Sequence, residues 1–80
     1  MPRYFFDIDN DARYIDEEGT ELAGADDARI QAVIFAGDYL RENPGLVRDG
    51  GHLHVAVRDA LGTILLTVAV TTSDPAQRLP

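Results

Sequence analysis

The sequence contains no cysteine, no tryptophan and no lysine. Without cysteine there is neither a disulfide framework nor a thiolate metal site. Serine occurs once, at Ser73, which leaves little for nucleophilic chemistry. No apolar run is longer than the five residues Ala32 to Ala36, far short of the ~20 that span a bilayer. Met1 to Asp9 has no basic segment leading into an apolar stretch, so no secretory signal is expected and the protein is expected to be cytoplasmic. A glycine-rich phosphate loop is missing as well, since Gly50-Gly51 precedes a strand-like segment rather than a helix.

What is present is acid. Fourteen Asp and Glu face seven arginines, a formal net charge of −7 over 80 residues. Such a surface repels phosphate backbones and anionic bilayers, so neither nucleic acid nor membrane is expected as a partner. The charge keeps a small protein soluble, and it also offers an acidic face to a basic partner. The length corresponds to one domain with a thin core, burying about 60 to 65% of the unfolded chain's surface. A core of that size profits from a second subunit or a bound ion.

Periodicity places the elements. Tyr4, Phe6 and Ile8 alternate with Arg3, Phe5, Asp7 and Asp9, which predicts a strand over 3–9. Asn10 and Asp11 favour a turn, because their side chains bond nearby backbone. Residues 12–15 are expected to form a short second strand, ended by Asp16-Glu17-Glu18-Gly19. The spacing predicts one helix over 25–42. Asp26 and Asp27 complement the positive end of its dipole, Arg41 the negative end, and Asn43-Pro44-Gly45 stops it. Ala25, Ala28, Ala32, Phe35, Ala36, Tyr39 and Leu40 make one stripe at helical spacing. Ile30, Val33 and Ile34 form a second apolar flank, wider than one thin sheet needs, so part of it is expected to meet another chain. Gly37 in mid-helix costs about 1 kcal/mol against alanine, which suggests close packing there.

Leu46 to Gly51 reads as a loop. His52 to Arg58 alternates again, with Leu53, Val55 and Val57 on one face. Asp59-Ala60-Leu61-Gly62 is expected to turn the chain into a last strand, Thr63 to Thr71. A four-residue loop would pair Arg58 with Thr63, Val57 with Ile64, Val55 with Leu66 and Leu53 with Val68. The expectation is an α+β domain over 1–71, a small antiparallel sheet of about four strands in ββαββ order with the helix on one face. Residues 72–80 are expected to be a mobile tail.

The opening Met1-Pro2-Arg3-Tyr4-Phe5-Phe6-Asp7, the segment Asp16-Glu17-Glu18-Gly19-Thr20-Glu21-Leu22, and Val57-Arg58-Asp59 followed by Gly62 and Leu65-Leu66-Thr67-Val68 resemble a family of very small bacterial domains of unknown function. The resemblance spans the chain except its tail and implies a bacterial, non-enzymatic protein. A looser likeness, in element order only, is to antitoxin domains of the HicB type. The chain departs from them in lacking a Gly-Tyr second strand and a DNA-binding C-terminal segment.

Two constellations carry ligand chemistry. Asp7, Asp9, Asp11 and Glu18 stand at the first, third, fifth and twelfth places of a calcium loop, with Arg13 at the carbonyl-donating seventh. Against it, Ala12 occupies the place of the required glycine and a strand, not a helix, precedes the loop. An acidic solvated turn is the plainer account. His52 and His54 share one strand face and would meet one metal, with Asp7 as a third donor if the first strand lies alongside. Two solvent-facing histidines are again the plainer account. No cofactor and no metal are expected, and no catalytic residues. The expected function is a non-enzymatic protein-interaction module, a homodimer or one bound to a protein partner. Its surface would be the sheet face opposite the helix, at Phe5, His52, His54, Arg58, Leu65 and Thr67. Ion binding by the acidic loop and an antitoxin-like inhibitor of a basic partner are the alternatives.

Overall fold

A computed structural model describes residues 1–10, 12–46 and 51–72. Its elements are β1 (Arg3–Asp9), β2 (Arg13–Tyr14), β3 (Thr20–Glu21), α1 (Ala25–Glu42), β4 (His52–Arg58) and β5 (Ile64–Thr71). The antiparallel sheet runs β2-β1-β4-β5, and β3 pairs with the other end of β1's outer edge. The α+β reading holds, with β3 added to the expected strands. Asp11, residues 47–50 of the loop after α1 and the tail from Ser73 lie outside the described residues. Among the described residues, no helix is long and apolar enough to cross a membrane.

The core sits between α1 and the middle of the sheet. Leu53, Val55 and Val57 of β4 are the largest fully buried side chains. Tyr4 and Phe6 of β1 flank them on one side, and Leu66, Val68 and Val70 of β5 pack partly buried on the other. From the helix, Ala28, Ala32 and Ala36 point in, and their small side chains let its axis lie close to the sheet. Phe35 meets Phe6 edge-on, with ring centroids 4.9 Å apart, a favoured geometry for opposed ring quadrupoles. The Asn10 side-chain amide donates to the Tyr39 hydroxyl at 2.8 Å, tying the β1–β2 turn to the helix.

The β4–β5 register corrects the expected one by two residues. Val57 lies opposite Leu66, Val55 opposite Val68 and Leu53 opposite Val70, while Arg58 faces Ile64. Two single-residue slips combine here. The turn runs to Thr63 because the Asp59 carboxylate accepts from the Leu61 and Thr63 amides at 2.9 and 3.0 Å, drawing Thr63 out of the strand. A bulge beside Val57/Arg58 then leaves Leu65 without a partner residue. Each slip alone would invert the faces of β5, whereas the pair preserves them. Ile64 consequently moves from the helix side to the open side.

Gly37 also differs from expectation. A Cβ at this position would meet nothing within 4 Å among the described residues, so none of them packs closely there.

Candidate interaction surface

The sheet face away from α1 carries three cross-strand rows. Phe5, Arg58 and Ile64 form the first, Asp7, Ala56 and Thr67 the second, Asp9, His54 and Ala69 the third. His52 follows, opposite Thr71, and its ring centroid lies 5.2 Å from that of His54. Of the expected surface residues, Phe5, His52, His54, Arg58 and Thr67 thus share this face, and Leu65 sits exposed at the bulge beside it.

Phe5 and Arg58 of the first row and Asp7 of the second form a closed unit. The Arg58 guanidinium stacks over the Phe5 ring, 4.7 Å from its centroid. Its Nε donates to Asp7 Oδ2 at 2.8 Å, and one terminal nitrogen donates to Asp7 Oδ1 at 3.3 Å and to the Asp16 carbonyl at 2.8 Å. A planar fork with a flat apolar seat suits arginine and not lysine. The Asp7 carboxylate raises the Arg58 pKa, chiefly through this hydrogen bond.

Asp16 is the residue that sequence reasoning missed. β2 and β3 cover the two ends of β1's outer edge but not its middle. There the Phe6 amide donates to Asp16 Oδ2 at 3.1 Å, and the Asp16 amide donates to Asp7 Oδ1 at 2.9 Å. The other Asp16 oxygen accepts from the amides of Glu18 and Gly19 at 3.1 and 3.0 Å. Partial burial pushes the Asp16 pKa up, but the Gly19, Phe6 and Glu18 amides and the Arg58 charge outweigh it, holding the pKa below the ordinary aspartate value. The signal was present in the sequence. Asp with glycine three residues on is a turn signature whose carboxylate caps local amides.

Gly19 has φ +74, and a Cβ there would lie 2.8 Å from both Arg3 Cγ and Phe5 Cε2 and 3.0 Å from the Tyr4 carbonyl oxygen. Both the conformation and the space call for glycine. Arg3 completes the closure, donating to the Glu18 carbonyl at 2.7 Å and to Glu21 at 3.0 Å.

Beyond this unit the face opens into a shallow cavity of about 290 Å³, lined by Asp7, Asp9, Arg13, His54, Ile64 and Thr67 among others. Of the loop carboxylates considered for calcium, Asp7 is bound to Arg58 and to the Asp16 amide, and Asp11 is outside the described residues. Among the described residues, no three His, Asp or Glu side chains gather as metal ligands. Ser73 likewise lies outside the described residues.

The outer margin of the sheet beyond β4 is different in kind. β5 is its last strand, eight residues long (Ile-Leu-Leu-Thr-Val-Ala-Val-Thr), without a charge or a proline.

Comparison with known sequences agrees with this architecture. A family described as a domain of unknown function, DUF6894, matches residues 3–71, from the first residue of β1 to the last of β5. The chain belongs to this family. No curated protein and no solved structure matches it.

Proposed function

We propose that this DUF6894 domain is a non-enzymatic protein-interaction module, and that a partner protein docks an extended segment along β5 and onto the open face beside it. The observation that carries this reading is the asymmetry of the sheet. Its β1 margin is bonded by β2, β3 and Asp16, while β5 ends the sheet as an uncharged strand with no further strand beside it among the described residues. Backbone amides and carbonyls on such a margin accept an added strand, and pockets beside it select side chains. Thr67, His54 and Ile64 at the cavity would supply that selection, with Asp9 and Arg13 providing charges of both signs. The acidic surface favours a segment that carries basic residues.

The test is site-specific photocrosslinking in the native host. A benzoylphenylalanine at Thr67 is expected to trap one discrete protein, and the same group at Tyr14, on the β1 margin, to trap none. The trapped protein, purified, is expected to slow hydrogen exchange of β5 amides. Absence of an adduct from Thr67, or β5 amides exchanging at the free rate with the purified protein present, would overturn the proposal.

A further inference from the structure

The outward face of α1 is an apolar stripe that the described residues leave uncovered. Ile30, Val33 and Ile34 are 60%, 59% and 48% exposed, while Ala28, Ala32 and Ala36 on the opposite face are buried. At helical spacing the stripe continues through Gly37 and is bounded by Asp26 in the first turn and Arg41 in the last. It runs about 22 Å along the helix. Among the described residues nothing packs at Gly37, since its Cβ position is open space, and its backbone freedom weakens the helix.

We infer that this face pairs with the same face of a second copy, the two helices antiparallel about a two-fold axis between Val33 and Ile34. The order of residues matches itself under that operation. Ile30 of one copy falls at the level of Gly37 of the other, a branched side chain over a notch. Val33 and Ile34 meet their own counterparts at the axis. Asp26 falls at the level of Arg41 of the second copy at both ends, so unlike charges face each other twice. A parallel pairing would instead set Asp26 against Asp26 and Arg41 against Arg41. Among the described residues, Arg41 has only a 3.7 Å contact to Asp38, with both side chains exposed. Such a contact holds weakly, which leaves Arg41 able to turn to Asp26. The pairing leaves both β5 margins open, and it stands whether or not β5 binds a partner segment. A contact between two single helices falls at the small end of specific interfaces, below about 1,200 Å² in total, so the dimer dissociates on dilution.

The experiment uses the full chain, whose lack of cysteine makes introduced thiols unambiguous. Sedimentation velocity from micromolar to millimolar concentration is expected to show monomer passing to dimer. Under oxidation Ile34→Cys is expected to crosslink to itself. Asp26→Cys is expected to crosslink when mixed with Arg41→Cys and not alone. Gly37→Leu is expected to raise the melting temperature of the dilute monomer while weakening dimerisation about tenfold or more. Monomer at every concentration would overturn the inference. So would a dimer that crosslinks through Asp26→Cys alone, or one left unchanged by Gly37→Leu and linked instead through Thr71→Cys on β5.

Discussion

The β1 margin is bonded at three levels: Arg3 and Tyr4 pair with β3, the Phe6 amide meets Asp16, and Ile8 and Asp9 pair with β2. At the other side of the same sheet β5 carries no charged side chain, and Asp59 caps the turn that precedes it. Two strands of two residues and one carboxylate therefore close an edge that would otherwise need a full strand. The closure has a consequence for chemistry. Asp7, Asp16, Arg58 and Phe5 hold one another, so the polar cluster that looks most like a site is occupied with sealing the sheet. In the proposed reading, the side with no polar cluster is the one that binds a partner.

The strand common to both margins sets the largest effect. Leu53→Ala is expected to lower the unfolding free energy by about 3 kcal/mol, since Leu53 is fully buried at the centre of the core. Denaturant titration would show one transition displaced as a whole. Selective loss of one margin would mean that the two are not one cooperative unit.

Gly19→Ala separates the margins. The left-handed conformation and the contacts with Arg3, Phe5 and the Tyr4 carbonyl oxygen are expected to cost about 2 kcal/mol or more. Hydrogen exchange is expected to accelerate at β1 amides more than at β5 amides. Equal acceleration at both would refute a separate closure.

A smaller effect, and one that depends on pH, is expected at Asp16. Its folded pKa is lowered, so the stability it contributes is present above the unfolded pKa and disappears as pH falls through the folded value. Asp16→Asn removes the charge and misplaces an acceptor for the Phe6 amide. The variant is expected to melt lower than the native chain at neutral pH and to lose less on acidification. Parallel pH profiles of melting temperature would show that Asp16 does not govern the closure.

The smallest effect is expected on the open side. Thr67→Lys adds a charge to an exposed edge position and is expected to change stability by less than about 0.5 kcal/mol. It is nonetheless expected to abolish the slowing of β5 amide exchange by the purified partner. A large loss of stability would mean that β5 is more constrained than its exposure indicates.

Most of the fold was legible in the sequence. Period-two alternation located β1 and β4 with their boundaries, and the spacing of apolar residues located α1 from Ala25 to Glu42. The family resemblance drawn from Pro2-Arg3-Tyr4-Phe5-Phe6 and Asp16 to Leu22 agrees with the family that matches. Alternation fixes a face only modulo two residues, so it could not detect that β5 is displaced by a longer turn and a bulge together. The candidate surface was legible as a face but not as a set of contacts. Phe5, His52, His54, Arg58 and Thr67 were grouped by parity alone, and parity is silent on which carboxylate Arg58 would find.

By itself, then, the sequence determined the order of the main strands about one helix, the inward faces and the acidic surface, because each rests on local periodicity or on composition. Tertiary structure decided the rest. Arg58 finds Asp7 across 51 residues and the Asp16 carbonyl across 42, and these partners come within reach only when β1 lies beside β4. The same pairing turned a run of acids into the seal of one margin and, among the described residues, left the other margin and the outer face of α1 uncovered.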